Sequence, residues 1–269
     1  MKKIFLATNA PVHDTDIFTA FQKAEIVAGD TIFVHSRLYV FGQLADVKTK
    51  EELANAFADA LIKSVGNGTI IIPTFTFLFC TTGVYDSEKT ASEAGLLSEV
   101  FRKRQDVVRS SHPIYSVAVW GKDKNYFLEA DTKTCFGDDG IFGRVHKKGD
   151  VKIVFIGIGA DGLSQIHYVE ELLKVPYRYM KKFSGNVNGN TTEVEFYVRD
   201  VENKAELDMK GKFVSFCEKR EMLKTVPLGN NFISSVRESI MHKHIVEAMS
   251  KNPCVFLKND YKSFHTKEI

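Results

Sequence analysis

Apolar positions along this chain follow two different periods. Runs that are apolar at nearly every position, over 30–34, 69–75, 114–120 and 151–156, predict short strands buried on both faces. Between them, apolar residues recur three and four apart and predict helices over 51–65, 92–103 and 163–174. Thr49 followed by Glu52 forms a capping box ahead of the first helix, and Gly66 closes it. In the second, Leu96, Leu97, Val100 and Phe101 make the buried stripe. The alternation predicts an α/β fold: a central, mostly parallel sheet flanked by helices. Beyond Pro176 the pattern changes into a C-terminal α+β portion, with strands at 191–198 and 212–216, a helix over 234–249 and a last strand at 254–257. No repeat or low-complexity linker interrupts the chain, so it reads as one domain over 1–269, a small subdomain over 190–269 being the alternative division.

Composition narrows the classes. At 269 residues, 44% hydrophobic and 26% charged, the chain can bury an ample core without staples. Its net charge of +2 is spread along the sequence, unlike the concentrated basic face of a nucleic-acid binder. The apolar start at residues 4–7 is cut short by Asn9, Asp14 and Asp16, too soon for a signal peptide. No run approaches the roughly 18 apolar residues of a membrane span. Cys80, Cys135, Cys217 and Cys254 form no CxxC pair, so neither a metal site nor a disulfide framework is expected. The protein reads as cytoplasmic and reduced, acting on small molecules rather than nucleic acid or membrane, with a homodimer left open.

Several segments carry chemistry. Gly157, Gly159 and Gly162 match GxGxxG after a predicted strand, the context of a dinucleotide-binding turn. The acidic residue required about 20 positions later is missing. Pro176, Tyr177, Arg178, Tyr179, Met180, Lys181 and Lys182 stand there instead, which leaves a nicotinamide dehydrogenase as a remote alternative. Ser164, His167 and Glu170 fall on one face of the predicted helix. A histidine in the first turns feels the positive end of the helix dipole and stays neutral, able to accept a proton. A carboxylate one turn away orients the ring and stabilises the imidazolium. His35, Ser36, Arg37 and Leu38 follow a strand, where open α/β sheets bind ligands. Arg109, Ser110, Ser111 and His112 group hydroxyls, a guanidinium and an imidazole suited to a phosphate or a pantetheine amide.

In their joint order these segments resemble the aminoglycoside 3-N-acetyltransferase family. They run from Gly29-Asp30-Thr31-Ile32-Phe33-Val34-His35-Ser36 through Gly68-Thr69-Ile70, Pro73-Thr74-Phe75-Thr76, Gly95-Leu96-Leu97 and Arg109-Ser110-Ser111-His112-Pro113 with Ser116. The turn after Ile156, Ser164-Gln165-Ile166-His167-Tyr168-Val169-Glu170 and the stretch from Leu228 to Phe256-Leu257 complete the likeness, which covers nearly the whole chain. The resemblance implies an α/β fold distinct from the Gcn5-related acetyltransferases, and an N-acyltransferase using acetyl-CoA or another short acyl-CoA and no metal.

It also implies roles. His35, Ser36, Arg37, Leu38, Arg109, Ser110 and His112 become coenzyme-site candidates, His167 the general base and Glu170 its orienting partner. Thr74, Ser164 and Glu171 are candidate substrate-binding residues. Backbone amides near 36–38 or the Ser110 hydroxyl are expected to hold the oxyanion. Two positions depart from the family pattern: Arg37 replaces a second serine and Ser164 a threonine. The preferred acceptor is a nucleotide-linked amino sugar destined for surface polysaccharide, because Lys174, Arg178, Lys181 and Lys182 favour an anionic substrate. The alternative is acetylation of aminoglycoside antibiotics, which confers resistance.

Overall fold

The computed structural model describes residues 1–8, 10–259 and 261. Nine strands and seven helices position the site. The strands are β1 (Thr31–Ser36), β2 (Thr69–Pro73), β3 (Val108–Arg109), β4 (Val117–Gly121), β5 (Val151–Ile156), β6 (Arg178–Val187), β7 (Asn190–Arg199), β8 (Lys224–Leu228) and β9 (Asn231–Arg237). The helices are α1 (Asp14–Lys23), α2 (Lys50–Val65), α3 (Leu96–Phe101), α4 (Ile141–Lys148), α5 (Ile166–Leu172), α6 (Val214–Glu218) and α7 (Glu238–Lys251).

The main sheet has the order β8-β9-β5-β1-β2-β4-β3. β5, β1 and β2 are parallel neighbours, while β9 and β4 run opposite to them on either side. The edge strands β8 and β3 turn back again, so β8, β5, β1, β2 and β3 share one direction. Covering both faces explains the continuous apolar runs. Ile32, Val34, Ile70, Ile72, Val154 and Ile156 enter a core with residues of α1 and α2. Phe33, Ile71, Ile153 and Phe155 enter a second core on the opposite face, with α4, α5 and α7. His35, two residues after Phe33, shares this second face by strand alternation.

Local signals behave as their chemistry requires. Thr49 Oγ1 accepts the Glu52 amide at 3.1 Å, but the Glu52 carboxylate accepts from the Lys48 amide instead of closing the expected capping box on Thr49, and Gly66 ends α2 at positive φ. The helix over 92–103 contracts to α3, with Gly95 as its N-cap at φ 115°. The stretch over 163–174 also splits: a 3-10 turn occupies Ala160–Gly162, and Ser164 lies ahead of α5.

The C-terminal expectations need more correction. Residues 212–216 are helical, within a π-turn (Met209–Phe213) and α6, because Phe213 and Cys217 bury one helical face. The helix over 234–249 begins only at Glu238. Ile233, Ser234, Ser235 and Val236 instead form buried β9, and Ser235 Oγ donates to Ala24 O at 2.5 Å. At 254–257 there are turns and a single bridge, Leu207 to Leu257. The hairpin strand β6 had no apolar signature, since its middle residues are mostly exposed. Among the described residues no helix is long and apolar enough to cross a membrane.

Candidate active site

Two loops meet at the C-terminal ends of the adjacent parallel strands β1 and β5. The Arg37 amide donates to Ile156 O at 2.8 Å and so clamps one loop to the other. Gly157 follows at φ 64°, and a Cβ there would stand 2.7 Å from the Phe41 and Val40 side chains and 2.8 Å from Arg37 O. This close approach explains the first glycine of the GxGxxG turn without a dinucleotide. Asp161 accepts from the Gly159 amide at 3.0 Å and reaches Arg37 Nη2 at 3.5 Å. Ser36 ends β1 and Leu38 is buried at the start of a 3-10 turn (Leu38–Phe41). His35 is buried beside Phe33 and Phe155, with ring centroids 5.1 and 5.7 Å away. Burial holds its pKa down at about 3, so the ring is neutral. Ser164 Oγ lies 3.5 Å from His35 Nε2 and therefore belongs to this loop junction, not to the helix face expected for it.

The short α5 presents His167 and Glu170 one turn apart. His167 Nδ1 lies 2.6 Å from Glu170 Oε2. The same oxygen lies 2.6 Å from Arg178 Nη2, and Tyr177 Oη donates to Glu170 Oε1 at 2.9 Å. Burial alone would raise the Glu170 pKa, but Arg178 first and His167 second draw it down to about 2. An ionised carboxylate only accepts, so Nδ1 carries the proton it donates and the ring's lone pair sits on Nε2. Among the described residues Nε2 makes no hydrogen bond, and it is not sealed off; 22% of the side chain is exposed. The His167 pKa lies below its ordinary value because of burial and then Arg178, which together outweigh Glu170. Neutrality was the expected state; burial and a cation supply it.

Sequence reasoning missed Arg178 as a member of this group. Its Nη1 donates to Tyr197 O at 2.6 Å, and its guanidinium lies 5.7 Å from the Phe136 ring. Phe136 also packs 5.2 Å from His167 and 5.5 Å from Phe142. Phe142 reaches Phe33 at 6.2 Å, so aromatic rings connect the strand leading to His35 with α5. No local period announces Arg178, because it comes from the hairpin and not from α5.

The second group of coenzyme candidates is occupied by the fold. Arg109 donates to Thr74 Oγ1 (3.1 Å), Thr74 O (2.7 Å), Ser116 Oγ (3.2 Å) and Thr90 O (2.5 Å). Thr74 is itself fully buried against Ser116, 2.9 Å away. Ser110 Oγ accepts the Val117 amide at 3.0 Å. His112 Nδ1 accepts the amides of Ile114 and Tyr115, and its Nε2 donates to Thr134 O. Its burial lowers the pKa to about 4, matching this neutral tautomer. The structure brings none of these residues into hydrogen-bond contact with His167. Glu171 differs: its Oε2 is buried without a hydrogen-bond partner. Burial is the main reason its pKa is raised, with Arg178 opposing and Glu195 and Asp138 adding to the rise.

The sequence pattern of the aminoglycoside 3-N-acetyltransferase family matches residues 33–250, which spans both loops and α5. The chain belongs to this family. As a member of the aminoglycoside 3-N-acetyltransferases it is an acyl-CoA-dependent N-acyltransferase. It is similar to the SPbeta prophage-derived aminoglycoside N(3')-acetyltransferase-like protein YokD of Bacillus subtilis (strain 168), 26% identical over 66% of this chain and 71% of that protein. Aminoglycoside N(3)-acetyltransferase IV of Salmonella sp is 21% identical, over 86% of this chain and 85% of its own length. The solved structure of AAC-IIIb in a binary complex with CoASH has a TM-score of 0.74 at 17% identity, over 92% of this chain and 98% of that one. The dinucleotide reading of the glycine turn has no support in these likenesses.

Proposed function

We propose that the protein transfers the acetyl group of acetyl-CoA to a primary amine of an aminoglycoside, with His167 as general base. The observation that carries the reaction is the 2.6 Å contact between His167 Nδ1 and Glu170 Oε2, which leaves Nε2 as the basic atom. An ammonium is no nucleophile, so Nε2 first takes a proton from the substrate. The amine nitrogen then attacks the thioester carbon, the C–N bond forms, the C–S bond breaks and the electron pair leaves on sulfur. The imidazolium returns its proton to the thiolate while the nitrogen loses its second proton to water, and no acyl-enzyme intervenes. Family membership supports acetyl-CoA as donor. The partial exposure of Arg37 beside Asp161, about a third, supports a contact with a coenzyme phosphate. Of the amides considered for the oxyanion, that of Arg37 is already spent on Ile156 O, which leaves its neighbours for that role.

For the acceptor, the unpaired buried oxygen of Glu171 matters more than net charge. A polycationic sugar would supply the missing donor, and Asp138 and Glu195 add to the negative potential there. This weighting favours an aminoglycoside over the nucleotide-linked amino sugar that the lysines around residue 180 suggested. The donor also fits a cytoplasmic enzyme. The test is thiol release from acetyl-CoA across a panel of aminoglycosides and nucleotide-linked 3- or 4-amino sugars. Turnover with aminoglycosides is expected; turnover confined to the nucleotide-linked sugars overturns the acceptor.

A further inference from the structure

On the far side of the catalytic helix, α4 and α7 bring together three groups that the reaction does not use. Glu238 opens α7 and His242 follows one turn later, so both face α4. There His146, in the last turn of α4, places Nδ1 3.1 Å from Glu238 Oε2. His242 Nδ1 lies 3.8 Å from Glu238 Oε1, and the three ligand atoms all fall within 4.8 Å of one another. We propose that His146, Glu238 and His242 form a divalent-metal site for Zn2+ that anchors the start of the catalytic helix.

The ligand chemistry selects the ion. Two imidazoles and one carboxylate are a zinc donor set, whereas Ca2+ and Mg2+ take oxygen ligands. Zinc bonds of about 2.0–2.1 Å set tetrahedral ligand atoms roughly 3.3 Å apart. The 3.1 and 3.8 Å separations from the carboxylate lie on either side of that edge, and all three ligand atoms lie within 4.8 Å of one another, so the side chains draw together as the site closes. His242 Nδ1 is buried and has no hydrogen-bond partner among the described residues, a costly arrangement that coordination resolves. The His146 and His242 rings stack with centroids 3.8 Å apart, a geometry that disfavours two imidazolium charges, and the rings splay for both in-plane lone pairs to reach one ion.

The surroundings are those of a supported ligand set. Gln165 Nε2 donates to Glu238 Oε1 at 3.2 Å and to Phe142 O at 2.9 Å, fixing the carboxylate. The Tyr168 ring lies 5.6 Å from His146 and 5.8 Å from His242. His146 is 33% exposed and leaves a route from solvent. On binding, its Nδ1 proton passes to water. Gln165 and Tyr168 bracket His167 in the chain, so a metal here ties α4 and α7 to the helix that carries the base. Cysteine spacing could not reveal such a site, because no cysteine takes part.

The full-length chain, stripped with chelator and dialysed, is titrated with Zn2+ by calorimetry and with Co2+ by visible absorption. One ion per chain and the intense absorption of four-coordinate Co2+ are expected, together with a Zn2+-dependent rise in Tm. His242→Ala and His146→Ala should each weaken binding by about 100-fold or more, the upper end of the loss for an outer-shell partner alone. His244→Ala, which removes the partner of Glu247 on the same helix, should bind as wild type. Failure of the folded wild-type chain to bind Zn2+ and Co2+ stoichiometrically overturns the site. So does unchanged affinity in a His242→Ala protein whose circular dichroism is native.

Discussion

Arg178 sets its guanidinium 2.6 Å from the Glu170 carboxylate, bridging the β6 hairpin strand and α5. Both side chains are buried, so the pair stands where a lone charge would be costly. Arg178 thereby fixes the carboxylate that orients the His167 ring, which makes it a positioning residue under the proposed base role. Arg178→Met should lower stability by about 3–5 kcal/mol, because Glu170 keeps its charge without its main partner. It should also move the acid limb of the pH–rate profile upward, since Arg178 holds the His167 pKa down. Arg178→Lys should recover part of each effect. Melting curves and pH profiles check both; a wild-type profile in Arg178→Met removes it from this role.

His167→Asn tests the base directly. Folding and calorimetric binding of CoA should persist, while turnover falls by roughly 100-fold or more. In the wild type the rate requires the neutral ring. Its pKa is lowered from 6.5, so activity should hold as pH falls to 6.5 and decline only below it. Wild-type turnover in the asparagine variant would remove the imidazole from proton transfer.

Acid stability follows from histidines kept neutral by burial. His35 and His112 titrate at about 3 and about 4 in the native state, against 6.5 when exposed. Below pH 6.5 the unfolded chain therefore binds more protons, and stability is lost as pH falls toward those native values. Glu170 adds its own loss only from 4.5 down to about 2, where its depressed carboxylate protonates. His35→Phe, packed between the same aromatic neighbours, should flatten the dependence of stability on pH between 6 and 5 by about one proton. Denaturant melts across that interval measure the slope.

Gly157→Ala should show how tightly the two loops are joined. A methyl group at φ 64° meets Phe41, Val40 and Arg37 O at 2.7–2.8 Å, so about 1–3 kcal/mol of stability should be lost. Gly149→Ala is the control: φ is 83°, but nothing lies within 4 Å of the added carbon. Its backbone cost alone should appear, about 1 kcal/mol. If the His35–Leu38 loop carries the coenzyme, Gly157→Ala should raise KM for acetyl-CoA while the acceptor KM stays near wild type. Steady-state kinetics with each substrate varied in turn separates the two.

Much of the architecture is legible in the apolar pattern of the chain. Strands that must bury both faces write continuous apolar runs, as 151–156 does, and Thr49 with Glu52 marks a helix start by short-range hydrogen bonding. The pattern fails where neighbours supply the reason for the structure. β6 pairs its exposed backbone with β7 and needs no apolar pattern. β9 hides Ser234 and Ser235 because Ser234 shares a hydrogen bond with the Thr225 hydroxyl and Ser235 donates to Ala24 O. The partners of Arg109 and His112 were not legible either, since a sequence cannot say which carbonyls a guanidinium or an imidazole will meet.

The chain order alone determined the His167–Glu170 pair, because one helical turn brings residues three apart together whatever surrounds them. It also pointed to the loop after β1 as a candidate binding edge, because parallel strands end where their connections open. Only the folded structure decided that Arg178 closes the carboxylate, that Ser164 joins His35, and that His146 meets Glu238 across 92 residues. Those relationships depend on how the hairpin and the helices pack against the sheet, and packing at long separation leaves no period in the sequence.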